Sequence, residues 1–350
     1  MERLVIDMKI CFFRLSAIGD CILATPALNA IVKHFPDCEI TWVTTVEIAN
    51  LLSGMPKIKF MVIEKPKTFG DYLKLKKIFK DKYFDILLAA QASLRSNLVY
   101  PFINAKRKIG FDAIRSKDFH SWFINESINF DNEHLAEGFM KFATHIGVNE
   151  KKYTWYINQR APKEIATEEN PQRTIVLNIA ASKKERTWPA ANYAKLINKI
   201  GQFFEGQILL VGGNTAFDLE QERAIKSLTN KHYYRSLVGK TSLLELVDIL
   251  KDCDVVISPD SGPIHIAVAL NIPVIGLYAV ARPELSGPFA SLQYTVDKYP
   301  EAIRLYLGKS LTQVKWHQRV HDSRAMDLIS VDEVSKALKR ALNANTNSNK

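Results

Sequence analysis

The stretch from Val255 to Tyr278, VVISPDSGPIHIAVALNIPVIGLY, constrains this chain more than any other. Its two short apolar runs, Val255–Ile257 and Val274–Leu277, read as buried parallel strands. Between them Pro263–Leu270 is long enough for a short helix. The turn into that helix is Asp260-Ser261-Gly262-Pro263. Proline suits the first helical position, and glycine lets a ligand approach the backbone closely. The helix tip therefore offers N–H groups and a positive dipole end beyond the carboxyl end of a strand, which suits a phosphate or diphosphate. His265 follows within the first turn and can reach the same anion.

Strand-like and helix-like segments alternate along the rest of the chain. Strands are expected at Lys9–Leu15, Glu39–Thr44, Lys59–Ile63, Phe84–Ala89 and Arg107–Gly110. Helices are expected at Ile22–Phe35, Val46–Leu52, Asp71–Lys80, Ser93–Phe102 and His134–Ile146, while residues 111–132 carry no clear pattern. A polar stretch with two prolines, Ala161–Arg173, reads as a linker. The alternation then restarts, with strands at Thr174–Asn178, Gln207–Val211 and Tyr233–Ser236. Helices at Ala190–Phe203, Leu219–Ser227 and Ser242–Leu250 intervene, and a last helix spans Val331–Leu342 with Ser330 as its N-cap. Residues 343–350 read as a disordered tail. Two βα series of similar length imply an α/β protein of two doubly wound domains, with ligands beyond the carboxyl ends of the strands and a cleft between domains as the expected site.

At 350 residues and 47% hydrophobic, the chain can bury the cores of two domains. No apolar run approaches the roughly 20 residues of a membrane-spanning helix. The opening residues, MERLVIDMKICFFRL, carry acids and run into a strand, so no secretory signal is expected and cytosolic residence is the default. The four cysteines, Cys11, Cys21, Cys38 and Cys253, lack metal-ligand spacing and read as reduced core thiols. The histidines show no HxxxH or HExxH pattern, so no protein-bound catalytic metal is expected. The net charge is +10, and Lys57–Lys117 alone holds 15 Lys and Arg against 5 Asp and Glu. That segment is either a solvated set of helix faces or a surface for an anionic partner. No nucleic-acid motif accompanies it, so nucleic acid is poorly supported and not expected; an anionic membrane surface or an acidic lipid-linked substrate fits equally well.

A second turn closes the first strand: Arg14-Leu15-Ser16-Ala17-Ile18-Gly19-Asp20. It is neither GxGxxG nor a Walker sequence, which disfavours an NAD-dependent enzyme. An acid there would repel a pyrophosphate, so Asp20 reads as a base or hydroxyl acceptor, or as a helix cap. RLSAIGDCILATP (Arg14–Pro26) and DSGPIHIAVALNIP (Asp260–Pro273) together resemble the paired signatures of the bacterial ADP-heptose:lipopolysaccharide heptosyltransferases, glycosyltransferase family 9. The resemblance covers about residues 9–342.

The resemblance implies the GT-B architecture, with residues 1–165 as a Rossmann-like acceptor-binding domain and 166–342 as a Rossmann-like nucleotide-sugar domain. The last helix is a candidate to pack back on the first domain. It also implies inverting transfer without metal or cofactor, the donor substrate being ADP-heptose. Asp20 matches the family's general base. Asp260, Ser261, Gly262 and His265 match its donor-holding turn, and Ile179–Pro189 matches a phosphate loop in which Ser182 and Arg186 take the expected positions, with Lys183 and Lys184 nearby. This chain has Ala181-Ser182 where the family often has paired threonines, and Arg186 where a lysine is frequent. Glu220 matches an acid near the ribose. Gly212-Gly213-Asn214 and Leu237–Thr241 match loops near the nucleoside. Arg14, Ser16, Arg95, Arg107 and Arg115 are acceptor-side candidates.

The implied reaction is transfer of L-glycero-D-manno-heptose from ADP-heptose to Kdo of the lipopolysaccharide inner core. The RLSAIGD form favours a first-heptose enzyme. The implied partners are the nucleotide-sugar donor, a lipid-linked Kdo acceptor and an anionic inner-membrane surface, with residence in the cytoplasm or peripherally on the inner face of that membrane. The alternatives are another family 9 transferase with a different sugar or acceptor, and a non-catalytic nucleotide-binding module.

Overall fold

The computed structural model describes residues 8–159, 173–229 and 233–348, with side chains described as far as residue 344. The chain divides into two compact units, Met1–Asn158 and Gln159–Lys350. Apart from Arg173, the linker expected at 161–173 lies outside the described residues, as does a boundary at 165.

The first unit runs β1 (Lys9–Phe13), α1 (Ile18–His34), β2 (Glu39–Thr44), α2 (Val46–Leu51), β3 (Ile58–Val62), α3 (Phe69–Phe79), β4 (Tyr83–Leu88), α4 (Leu94–Asn97), β5 (Asn104–Phe111), β6 (Glu126–Ile128) and α5 (Leu135–His145). Its six strands are parallel in the order β3-β2-β1-β4-β5-β6. The central strand β1 buries Ile10, Cys11, Phe12 and Phe13 completely or nearly so. Ile10, Phe12 and Phe13 each contribute about 1.5–3 kcal/mol of transfer free energy.

The second unit runs β7 (Thr174–Asn178), α6 (Ala190–Ile200), β8 (Gln207–Val211), α7 (Ala216–Leu228), β9 (Arg235–Ser236), α8 (Leu243–Lys251), β10 (Val255–Pro259), α9 (Gly262–Ala269), β11 (Val274–Tyr278), α10 (Pro283–Ser286), β12 (Val296–Asp297), α11 (Tyr299–Leu307) and α12 (Val331–Ser348). Its sheet is also parallel, ordered β12-β11-β10-β7-β8-β9. Its core joins Trp188 and Tyr193 to strand residues such as Leu177, Ile257 and Leu277.

Numbered from its own first strand, each sheet has the order 3-2-1-4-5-6. The order reverses between β1 and β4 in one unit and between β7 and β10 in the other. Ligands of doubly wound sheets bind at such switch points, beyond the carboxyl ends of the strands.

Several elements differ from the sequence reading for identifiable reasons. Helix α1 begins at Ile18 rather than Ile22, because Asp20 in its first turn accepts from the Ala17 amide at 3.1 Å. Pro26 lies inside α1 and cannot donate to the Ile22 carbonyl; the Thr25 hydroxyl donates to that oxygen instead, at 2.8 Å. The helix expected at Ser93–Phe102 stops at Asn97 and resumes as a 3₁₀ turn at Tyr100–Phe102, as Pro101 requires. The expected helix Pro263–Leu270 is Gly262–Ala269, with Pro263 second rather than first. Ser330 caps α12 as expected, exchanging hydrogen bonds with Glu333. The helix then continues to Ser348, through much of the stretch read as a disordered tail, and packs on α6, β10 and β11 of its own unit. β12 and α11 had no sequence counterpart, β12 being only two residues long.

Candidate active site

In the second unit the site is assembled where β7 and β10 part. Asn178, the last residue of β7, is 3% exposed. Its Nδ2 lies 2.8 Å from Ser261 Oγ, 2.9 Å from the Ala180 carbonyl and 3.0 Å from Ser258 Oγ. Its two hydrogens are thus shared among three acceptors, which locks the loop after β7 to the turn after β10. Ser261 Oγ also donates to the Pro259 carbonyl at 2.9 Å, so it is turned away from α9 and gives that helix no side-chain cap. The first turn of α9 keeps the electrostatic character of a helix N-terminus, which attracts anions.

Asp260 immediately precedes this tip and would oppose an anion there if unpaired. Arg186 offsets it: Nη1 donates to Asp260 Oδ2 at 2.7 Å and Nη2 donates to Ser182 Oγ at 2.8 Å. The two charged side chains are 13% and 10% exposed, so the pair is little screened by solvent. On the other side, Tyr278 OH and Ser286 Oγ each approach Asp260 Oδ1 at 3.4 Å. Burial, together with the Asp260 carboxylate, holds the Tyr278 phenol well above its ordinary range, so it stays a donor; its 2.9 Å bond to the Ser286 carbonyl ties α10 into the site. His265, in the first turn of α9, is 5% exposed.

Lys183 is exposed beside this cluster in sequence. Lys184 lies over the Phe217 ring, 4.9 Å from its centroid, and anchors the loop against α7. The Gly212 carbonyl accepts from Gly239 N at 3.1 Å, which brings the two glycine loops after β8 and β9 together. Gly239 has φ +69°, a conformation that favours glycine. Glu220 is exposed on α7, the helix that leaves this region.

The first unit repeats the theme at its own switch point. Arg14, just past β1, is ion-paired with Asp20 in α1. Arg14 Nη1 also donates to the Ala90 carbonyl after β4, at 2.5 Å, and its guanidinium lies 5.2 Å from the centre of the Phe139 ring. Gln91 completes the tie: its Oε1 accepts from Leu15 N at 2.7 Å and its Nε2 sits 3.5 Å from Ser16 Oγ. A cavity of about 340 Å³ opens here, lined by Ser16, Gln91, Lys65 and Arg95 among others. The structure thus brings Arg14, Ser16, Asp20 and Arg95 to the ends of β1 and β4.

Arg107 and Arg115 are placed elsewhere. Arg107 forms a two-pronged pair with Glu126 across adjacent strands, both bonds 2.7 Å. Arg115 is held by Asp112 and Glu133 and by the Ile128 carbonyl, at 2.6–2.8 Å. These pairs brace β5, β6 and the neighbouring loop, and neither arginine is among the residues that line the cavity beside Ser16.

A family model for glycosyltransferase family 9 (heptosyltransferase) matches residues 72–311. The chain is 31% identical over 337 residues to the lipopolysaccharide core heptosyltransferase OpsX of Haemophilus influenzae, covering 95% of this chain and 96% of that protein. This chain belongs to glycosyltransferase family 9. It is also 26% identical to lipopolysaccharide heptosyltransferase 1 of Campylobacter coli, covering 88% of this chain and 92% of that protein. In fold it resembles the E. coli ADP-heptose lipopolysaccharide heptosyltransferase II (TM-score 0.72, 20% identity, 97% and 100% of the two chains). A similar likeness holds to the E. coli heptosyltransferase WaaC with ADP (TM-score 0.71, 17% identity, 95% and 100%). The two parallel sheets are thus the GT-B fold of a glycosyl-transferring enzyme.

Within this family 9 enzyme, sequence reasoning missed Gln91, Asn178, Tyr278 and Ser286. Three of them do have a local signal, since Gln91, Asn178 and Tyr278 fall at or just past the carboxyl ends of strands. Ser286 had none; it reaches Asp260 only because α10 folds back after β11. Among the described residues, no group of three or more His, Cys, Asp or Glu could hold a metal ion, and no helix is long and apolar enough to cross a membrane.

Proposed function

We propose that this enzyme transfers L-glycero-D-manno-heptose from ADP-heptose to a Kdo residue of the lipopolysaccharide inner core, with inversion at the anomeric carbon and without metal or cofactor. The observation that carries the donor side is the anchored tip of α9, where Asn178 and Arg186 hold the turn in place. The relationship to OpsX supports heptose and the lipopolysaccharide core. The RLSAIGD signature supports the first-heptose position.

In the proposed reaction an acceptor hydroxyl oxygen attacks the anomeric carbon as the bond from that carbon to the β-phosphate oxygen breaks. The hydroxyl proton passes to the Asp20 carboxylate, and the bonding pair leaves on ADP. Arg14 and the Ala17 amide both meet Asp20 Oδ2, which fixes the carboxylate's orientation. Negative charge grows on the β-phosphate as the bond breaks. Backbone N–H groups at the tip of α9 are preorganised for that charge and favour the transition state over the bound donor. Ser182, Lys183, Arg186, Ser261, Gly262 and His265 are assigned to the donor, with Asp260 accepting from sugar hydroxyls and Glu220 from the ribose. Arg14, Ser16 and Arg95 are assigned to the acid groups of the acceptor, and the enzyme to the cytoplasmic side of the inner membrane.

The test is a mass-spectrometric assay of purified protein with ADP-heptose and Kdo-lipid A, run beside other nucleotide sugars and an already heptosylated acceptor. Product is expected only from ADP-heptose and Kdo-lipid A, undiminished by EDTA, with the anomeric configuration inverted by NMR. ADP binding without turnover on any acceptor would sink the reading in favour of a nucleotide-binding module.

A further inference from the structure

Among the described residues of the first unit, the three most exposed large apolar side chains, and Leu94 with them, all come after strands of one sheet. Phe69 is 78% exposed, Trp122 76% and Phe119 62%, with Leu94 at 50%. Phe69 follows β3, Leu94 follows β4, and Phe119 and Trp122 follow β5. In a parallel sheet the carboxyl ends of neighbouring strands share one edge, so all four stand on the edge that carries Ser16 and Asp20. The rings of Phe119 and Trp122 lie 4.7 Å apart, a paired aromatic tip rather than two independent side chains. One cavity joins the three loops: Lys65 and Pro66, Leu94 and Arg95, and Asp118 line it together. Asp118 Oδ2 accepts from Leu94 N at 2.9 Å, and Asn97 Nδ2 donates to the carbonyls of Lys117 and Asp118, which fixes the aromatic loop against α4.

Cations are interleaved with these side chains. Lys65, Lys67, Arg95 and Lys117 are all exposed, and among the described residues none lies within ion-pair distance of a carboxylate. The basic surplus of Lys57–Lys117 is thus presented partly on the same edge as the aromatic tip. A protein partner is disfavoured by this mixture, because lysine is depleted from protein–protein interface cores. Exposed Trp and Phe with flanking Lys match the headgroup layer of an anionic bilayer, where aromatic rings sit at the interface and ammonium groups meet lipid phosphates.

We propose that the carboxyl edge of the first unit's sheet is a docking surface for an anionic lipid bilayer. Phe69, Phe119 and Trp122 enter the interfacial layer, while Lys65, Lys67 and Lys117 face lipid phosphates. Docked in this way, the cavity beside Ser16 opens toward lipid headgroups. The proposal deepens the reading of a lipid-linked acceptor and rests on it for purpose, but its test needs no acceptor.

The experiment is flotation of the full-length protein with phosphatidylcholine vesicles, with and without phosphatidylglycerol, all lacking lipopolysaccharide. Wild type is expected to float with the anionic vesicles, less so at high salt. Phe119→Ser/Trp122→Ser and, separately, Lys67→Glu/Lys117→Glu are each expected to lower binding about tenfold or more. The charge-reversed variant should also lose most of the salt dependence. With a delipidated, water-soluble Kdo oligosaccharide as acceptor, both variants are expected to keep wild-type turnover, which separates docking from chemistry and shows that they fold. Equal flotation of wild type and both variants, or no flotation of wild type on anionic vesicles, would overturn the proposal. So would flotation only when the acceptor lipid is present, or loss of a dimer in the variants with vesicle binding intact. Failure of the soluble-acceptor assay in wild type would instead count against the proposed function.

Discussion

Arg186 and Asp260 are 74 residues apart in sequence and 2.7 Å apart in the fold. Their pairing ties the loop after β7 to the turn after β10, and it neutralises an acid at the mouth of a helix tip suited to phosphate. The same device recurs in the first unit, where Arg14 meets Asp20. In each arginine Nε is buried and, among the described residues, has no hydrogen-bond partner, so the hydrogen bonds of both run through the terminal nitrogens.

Arg186→Ala is expected to weaken ADP binding about 10- to 100-fold, because it removes a charge-assisted pair and leaves Asp260 facing the ligand. Arg186→Lys should fall between, since one ammonium cannot reproduce the fork to both Asp260 and Ser182. Calorimetric titration with ADP reads both. An unchanged ADP affinity in Arg186→Ala would reduce the pair to a structural tie.

Asp20→Asn is expected to lower turnover by about 10²-fold or more, with ADP affinity nearly unchanged. The amide oxygen can still accept from Ala17 N, so the start of α1 should be preserved, with the melting temperature lowered only as far as loss of the ion pair to Arg14 requires. Asp20→Ala should lose turnover to a similar degree and some stability as well. A rate for Asp20→Asn close to wild type would remove Asp20 as the base.

Gln91 is a positioning residue, since it acts through the backbone of Leu15. Gln91→Leu leaves that buried N–H without its acceptor, a cost of about 1–3 kcal/mol, and frees the loop that carries Asp20. We expect kcat to fall about tenfold with ADP affinity intact, and Gln91→Glu, which keeps an acceptor oxygen, to restore most of it. Equal kcat in Gln91→Leu and wild type would show that the loop holds without this bond.

His120 makes the first unit sensitive to acid. Its Nε2 accepts from Phe111 N at 3.2 Å, so the proton sits on Nδ1, 2.8 Å from Asn97 Oδ1. Burial drives its pKa down to about 4 from 6.5. A depressed pKa means the folded state binds the proton less tightly than the unfolded chain. Stability from this group is therefore complete above about pH 6.5 and is lost as pH falls toward about 4, by roughly 3 kcal/mol at most. Urea midpoints at about pH 7 and about pH 5 should differ more for wild type than for His120→Phe. Equal pH dependence in the two proteins would refute the assignment.

The βα alternation was legible because it is a local signal: period, turn residues and apolar runs repeat within a few residues. For the same reason the two turns that carry Asp20 and Asp260-Ser261-Gly262 could be read directly, as could His265 in the helix that follows. Tertiary structure decided which side chains serve those turns. Arg95, Arg107 and Arg115 look alike in a basic stretch, yet Glu126, Asp112 and Glu133 take up two of them and leave Arg95 beside Ser16. Asn178 meets Ser261, and Tyr278 and Ser286 meet Asp260, only because parallel crossovers return distant strands to one edge. A residue's type and neighbours in sequence set what chemistry it can do. Which charge finds a partner, and which keeps its chemistry for a ligand, depends on contacts between residues far apart in the chain, and those exist only once the sheets have formed.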